Sequence, residues 1–315
     1  MQYWKNQPVW KQTIYVLGLP RSGKSTVFNV LASCENVEGL EEPLDLLGLA
    51  QKMAYYKDKP IITRDFKDLY LALMDNHYSE LTLGRSYNLR KQDKSFILNF
   101  KSEDHLARAQ ARNRRIDVLE HLADKSAVFL IVFNDMEDSL DFITADVPCP
   151  QLIHIRRNWR DVAVEIMEKG WLSNEQLKSQ TNLLPGYQKK VKLDGSEFYI
   201  PFVVPAEAKN IYLSLSELDR AFLYTIIQSI NLENAIANIE IKSHQMDFEA
   251  LVKDPKRQIS LLMGELGLME TEMYRKNIAK LATVVNEIEI GKGNNYEPSG
   301  ALIEILQELN LDFTV

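Results

Sequence analysis

The chain has only two cysteines, Cys34 and Cys149, among its 315 residues, and neither sits at a metal-ligand spacing. That usage suits a reducing compartment. Positive charge is not in excess: the formal net charge is −7, so a broad electrostatic attraction to nucleic acid is not expected. Any anionic ligand must then be held by a local basic cluster. Long apolar runs are missing too. The longest, from Ala127 to Phe133, is far too short to span a bilayer, so no membrane partner is expected. The first residues, MQYWKNQPVWKQ, lack a charged segment followed by an apolar one, so no signal peptide is expected and the chain reads as cytoplasmic. Low-complexity segments, internal repeats and Pro/Gly/Ser-rich linkers are also lacking. One domain over residues 1–315 is therefore expected.

What is present is ordinary globular composition, 45% apolar and 26% charged, enough for a core that needs no disulfide or metal staple. Thr13 to Gly18 reads as a buried strand and Ser25 to Ser33 as a helix. Ser95 to Phe100, Ala127 to Phe133 and Gln151 to Ile155 read as further strands. Helical patterns cover Glu103 to Ala123 and Trp159 to Lys169. This alternation predicts an α/β fold with a central parallel sheet between two helical layers. Asp194-Gly195-Ser196 between two short polar-apolar stretches predicts a β-hairpin. Helices are expected over Ser216–Asn238, Pro255–Leu266, Glu270–Asn286 and Ser299–Leu309, with a short strand between Asn238 and Phe248. The C-terminal half is thus mainly helical. The irregular stretch of about 171–207 is expected to act as a lid over an acceptor.

Gly18-Leu19-Pro20-Arg21-Ser22-Gly23-Lys24-Ser25 fits the phosphate-loop pattern G-x-x-x-x-G-K-[ST] in full. The glycines let successive amides turn inward on an anion, and the helix after them adds its positive end. Strand before and helix after is the context the pattern requires. Lys24 would bridge outer phosphate oxygens, and Ser25 and Thr26 would hold a phosphate oxygen or, for Ser25, a Mg²⁺ ion.

Three segments, in order, resemble the sulfotransferases that use 3′-phosphoadenosine-5′-phosphosulfate (PAPS). Gly18 to Gly23 is similar to the G-x-P-[RK]-S-G loop that cradles the 5′-phosphosulfate. Leu152 to Val164, LIHIRRNWRDVAV, is similar to the strand-turn-helix segment whose arginine binds the 3′-phosphate, which places Arg157 on that arginine. Asp247 to Leu268 is similar to a segment that positions a strand and a helix. Gly291-Lys292-Gly293 is a weaker match to a late loop that closes on the 3′-phosphate. The resemblance implies a sulfotransferase-like P-loop fold. It also implies PAPS or its product PAP as cofactor, without a metal, and sulfuryl transfer to a hydroxyl or amine on a small molecule or glycan. Gly18, Pro20, Arg21, Ser22, Gly23, Lys24, Ser25, Thr26, Arg157, Lys292 and Gly293 would bind the cofactor. Arg21 and Lys24 would also neutralise the leaving phosphate.

Three departures bear on this. Lys24 replaces the usual Ser or Thr. Glu165 stands where the family has a serine on the 3′-phosphate, so either it points elsewhere or the ligand lacks that phosphate. The strand-end elements Lys-Thr-Pro or Lys-x-x-His have no clear counterpart. Asp135, after an apolar strand, is instead a loose Walker-B carboxylate, or simply a polar turn. An ATP- or GTP-using, Mg²⁺-dependent kinase or NTPase is the alternative, and a non-catalytic nucleotide-binding protein is a third.

For a general base, Lys101 and His105 are the leading pair, with Asp65 and Glu103 as carboxylate alternatives. His154 reads as a core residue. The basic helix with Arg108, Arg112, Arg114 and Arg115 is either a solvated face or a recogniser of an acidic acceptor. Trp159 either stacks on an adenine or caps the core.

Overall fold

The structure is a computed structural model. It describes residues 8–83, 110–111, 127–134, 136–179, 188–205, 208–286 and 288–311. In chain order the elements used below are β1 (Gln12–Leu17), α1 (Lys24–Leu31), β2 (Val37–Glu41), α2 (Leu44–Tyr55), α3 (Pro60–Thr82), β3 (Val128–Val132), α4 (Leu140–Thr144), β4 (Pro150–Arg156) and α5 (Trp159–Glu168). They continue with β5 (Gln188–Leu193), β6 (Ser196–Pro201), α6 (Lys209–Ser214), α7 (Glu217–Ala237), β7 (Lys242–Asp247), α8 (Phe248–Lys253), α9 (Pro255–Leu266), α10 (Glu272–Val285) and α11 (Gly300–Glu308).

The chain divides into two compact units. The first comprises Met1–Leu17, Gly23–Ile155 and Asn238–Ile288, and the second Gly18–Ser22, Arg156–Ala237 and Glu289–Val315.

The first unit is built on a five-stranded sheet in the order β2-β3-β1-β4-β7. β1 pairs in parallel with β3 and β4, and β2 with β3. Period-2 alternation sends Ile14 and Val16 of β1 to one face, where they meet Val27, Phe28 and Leu31 of α1, Ile259 of α9 and Leu281 of α10. The other face carries Tyr15 and Phe129. Trp10 packs 5.2 Å from both Phe129 and Tyr78 of α3, centroid to centroid. The Tyr15 hydroxyl donates to the Ile143 carbonyl of α4 at 2.7 Å. Both faces of a parallel sheet are thus covered, as its near-continuous apolar strands demand. β2, α2 and α3 are not expected from the sequence pattern. Glu38, Glu41 and Glu42 break the apolar run that would have marked β2. The predicted strand over Ser95–Phe100 and the helix over Glu103–Ala123 lie outside the described residues, apart from residues 110–111.

The second unit packs α5, α6, α7 and α11 around Val162, Ile166, Phe222, Ile226, Leu302 and Ile305. The predicted hairpin is there: β5 and β6 pair antiparallel with Leu193 opposite Ser196. Asp194 and Gly195 both have positive φ, 48° and 77°, as a two-residue turn matched to strand twist requires. Arg220 of α7 is buried and works as a staple. Its guanidinium donates to the carbonyls of Leu215 and Leu172 at 3.1 and 2.6 Å and to Asn174 Oδ1 at 2.5 Å.

In the first unit Gly23 enters α1 with φ 90°. A Cβ there would lie 2.3 Å from Cε2 of Phe248, which is buried at the start of α8. Gly23→Ala should therefore cost roughly 2–4 kcal/mol, from left-handed backbone strain plus overpacking. Urea denaturation checks this. Adding Phe248→Leu should return the packing part only, and a single variant as stable as the wild type would contradict the account.

Candidate functional site

The phosphate-loop segment comes directly after β1. Arg21 adopts a left-handed backbone, φ 67°, a state that costs a non-glycine residue about 1–2 kcal/mol. The Ser22 amide donates to the Leu19 carbonyl at 3.1 Å and closes a tight turn. In the first unit, the amides of Thr26 and Val27 both reach the Gly23 carbonyl, at 3.0 and 3.1 Å, and start α1. Lys24 is buried in that first turn, as is Thr26.

The second unit brings together residues that lie far apart in sequence. Arg157 comes after β4 at the turn into α5, where the Asn158 side chain caps the helix by accepting from the Arg160 amide at 2.9 Å. Arg157 is buried, its side chain 2% exposed. Its Nη1 donates to the Arg21 carbonyl at 2.7 Å, so the guanidinium stands directly against the turn that carries Arg21 and Ser22. Ser22 is fully buried and its Oγ has no hydrogen-bond partner among the described residues. An orphan hydroxyl of this kind is costly and fits a loop shaped to hold an oxygen-bearing group.

Glu165 does not point elsewhere. Its Oε2 accepts from Arg21 Nε at 2.9 Å, and its Oε1 lies 2.6 Å from Arg157 Nη2. The second contact is an ion pair whose angles fall outside those of a hydrogen bond. Burial pushes the Glu165 carboxyl up, but Arg157 and then Arg21 outweigh it and hold it below the usual glutamate value.

Asp161, one turn earlier on α5, is fully buried. It accepts from the Gly291 and Gly293 amides at 2.6 and 2.9 Å, which fastens the glycine loop to α5. A Cβ at Gly293 would lie 2.6 Å from the Arg160 carbonyl carbon, so the close approach itself requires glycine. Lys292 pairs with Glu168 at 3.1 Å and Glu289 at 3.6 Å. The Glu168 hydrogen bond raises its ammonium pKa above the ordinary lysine value. Further along, Asp219 accepts from the Tyr296 hydroxyl and from Ser216 Oγ at 2.8 Å, and Tyr296 stacks on Phe222 at 3.5 Å. Trp159 meets Phe222 edge-on at 5.5 Å with the Arg160 guanidinium 4.8 Å over its ring. Its described contacts are those of a core cap.

Lys101, His105, Glu103, Asp135 and the four arginines of the basic helix lie outside the described residues. Asp65 is exposed on α3 beside Arg64. His244 is held at both ring nitrogens, by Glu265 at 2.7 Å and Gln151 at 2.9 Å, a structural role. His154 is buried in β4 opposite Leu17.

A carboxylate not expected from the sequence stands in the first unit. Glu41, Val132 and Val16 share one level of the sheet, so Glu42 emerges at the carboxyl ends of β2, β3 and β1, the edge where open α/β sheets bind ligands. Glu42 has a left-handed backbone, φ 48°. Its Oε1 accepts from Asn134 Nδ2 at 2.6 Å, and Asn134 Oδ1 is buried without a hydrogen-bond partner among the described residues. The only local signal was Glu-Glu-Pro after a short strand.

No protein-family model matches the chain, and no curated protein matches it. Solved structures do. The sulfotransferase domain of the olefin synthase from Synechococcus PCC 7002 aligns over 98% of this chain and 97% of its own, at 12% identity and TM-score 0.46. The sulfotransferase domain from the curacin biosynthetic pathway aligns over 98% and 99%, at 13% identity and TM-score 0.47. A sulfotransferase from Mycobacterium avium aligns over 96% and 76%, at 14% identity and TM-score 0.45. All three are sulfotransferase structures. Among the described residues, no helix is long and apolar enough to cross a membrane.

The Asp161 clasp and the Glu165 ion pairs can each be tested. Asp161→Ala leaves two backbone amides without their acceptor, so it should cost roughly 2–4 kcal/mol, read by urea denaturation. A loss under about 0.5 kcal/mol would show that the glycine loop needs no such fastening. Because the folded Glu165 value lies below its ordinary 4.5, its ion pairs stabilise fully above that pH and are lost as pH falls through the lowered value. The stability gap between wild type and Glu165→Gln should accordingly shrink from pH 6 to pH 3. A gap that stays constant, or widens in acid, would contradict the assignment.

Proposed function

We propose that the chain is a sulfuryl transferase that takes PAPS as donor and passes the group to a hydroxyl or amine on a small molecule or glycan. The observation that supports this is the Arg157 guanidinium on the Arg21 carbonyl at 2.7 Å. A phosphate loop alone fits any nucleotide. A second, buried arginine from the β4–α5 turn, fixed to the tip of that loop, fits a ligand with a further anionic group near its 5′-phosphate.

Bound PAPS would supply the sulfuryl group. The turn at Arg21–Ser22, with the Ser22 hydroxyl buried in it, suits a phosphate oxygen of its 5′ end. Ser25 and Thr26 would bind the same phosphate. Arg21 and Lys24 would neutralise charge that develops on the departing phosphate, where preorganised donors contribute most. Arg157 would take the 3′-phosphate, with Lys292 and Gly293 beside α5. Lys101 and His105 are the pair proposed to take the acceptor proton. The acceptor itself is a small molecule or glycan, and no nucleic-acid partner is proposed. The chain would act in the cytoplasm.

A second reading is favoured by one observation. Glu165 already holds both arginines, and a nucleotide without a 3′-phosphate would leave that arrangement intact. ATP or GTP with Mg²⁺, cradled by Lys24 and Ser25, is that alternative.

Thermal unfolding with PAP, with ATP plus Mg²⁺ and with GTP plus Mg²⁺ separates the two. A ligand at about a thousand times its dissociation constant should contribute roughly 4 kcal/mol. Stabilisation by PAP without metal supports PAPS. Stabilisation only by a nucleoside triphosphate that depends on Mg²⁺ overturns it. His105→Ala should keep the PAP response and lose turnover with PAPS on an acceptor panel.

A further inference from the structure

The Arg21–Glu165–Arg157 cluster combines three features: a guanidinium that is nearly fully buried, a second that is part-exposed, and one carboxylate shared between them. Two cations facing one anion leave a net positive charge, in a place where the backbone of Arg21 is already strained. The carboxylate takes the Nε donor direction of Arg21 and lies 2.6 Å from Nη2 of Arg157, the space that an oxyanion from a ligand would use. Glu165 is on α5, one turn from Asp161, and α5 is fixed by its packing on Phe222 and by the Asp161 clasp. The carboxylate is therefore held there by the fold. Lys292 is near enough to feel its charge but is itself engaged by Glu168 and Glu289.

We infer that Glu165 is a specificity-determining residue: an internal counter-anion that occupies the seat on Arg21 and Arg157 and withholds it from a ligand's terminal phosphate. An incoming phosphate must either displace the carboxylate or sit beside it and be repelled. Discrimination in favour of a nucleotide's second, 3′-phosphate is then weak in this chain, although the arginine that would read it is present. Selectivity falls to the loop that holds the 5′ end. This inference rests on the nucleotide reading for its ligand, but the seat itself is a property of the three side chains.

The test uses the full chain as wild type, Glu165→Gln and Glu165→Ser, each checked for folding by near-ultraviolet circular dichroism. Calorimetric titration with PAP, with adenosine 5′-phosphate and with inorganic pyrophosphate gives the dissociation constants. In the wild type, PAP and adenosine 5′-phosphate should bind within about threefold of one another. Either substitution should tighten PAP at least tenfold more than it tightens adenosine 5′-phosphate, and tighten pyrophosphate at least tenfold. A wild-type preference for PAP of a hundredfold or more overturns the inference, whichever variants fold. So does an unchanged or weaker affinity for PAP and pyrophosphate in both variants. If no adenine nucleotide binds any of the three proteins while pyrophosphate tightens in the variants, the nucleotide reading fails and the internal counter-anion stands. If PAP binds all three tightly and equally, the nucleotide reading stands and the counter-anion fails.

Discussion

A single buried guanidinium organises the second unit around the phosphate loop. Arg157 commits one nitrogen to the backbone of Arg21 and another to the carboxylate of Glu165. A charge this deeply buried is tolerated only when it is closely paired. Arg157 meets that condition by joining the loop tip to α5. The orientation of the loop tip is thereby coupled to the charge state of Glu165. The guanidiniums of Arg21 and Arg157 are thus already paired before any ligand reaches the loop tip.

The rest of the second unit serves to hold α5 in place. Asp161 ties the glycine loop to its first turn. Phe222 meets Trp159 of α5 edge-on, Tyr296 stacks on Phe222, and Asp219 holds Tyr296 by its hydroxyl. Arg220 fixes the connection around Leu172 and Asn174. Each of these contacts joins residues distant in sequence, so α5 owes its place to tertiary fastening rather than to helix propensity. In the first unit the parallel sheet does the equivalent work. It sets the start of α1 and the carboxylate of Glu42 at strand ends by register alone.

Much of this was legible in the sequence where local signals were strong. The loop, β1, β3, β4, α5, the hairpin, α7, β7 and α9 to α11 are encoded in apolar period, turn chemistry and capping, and Pro255 with Asp254 marks the start of α9. The resemblance paired Arg157 with the loop, and the structure puts the two in contact. Local patterns did not reveal β2 or the helices α2 and α3 after it. The glutamates of β2 hide the strand, and so they hid Glu42. Nor could local patterns decide the direction of Glu165. The choice between turning away and turning in depends on the position of Arg21 on another segment, which is a matter of tertiary geometry. The same holds for Asp161, whose amide partners lie far along the chain. Trp159 was ambiguous because a half-buried aromatic ring fits a base or a core equally well until its neighbours are known.

The left-handed backbone at Arg21 has an evolutionary side. A glycine would sit there with less torsional cost, and an asparagine nearly as well. Random stabilising substitutions would thus drift toward residues that carry no charge. A lineage that keeps a strained arginine at that corner holds it against its own folding preference, so selection for thermostability alone would be expected to erode this position before it touched the sheet.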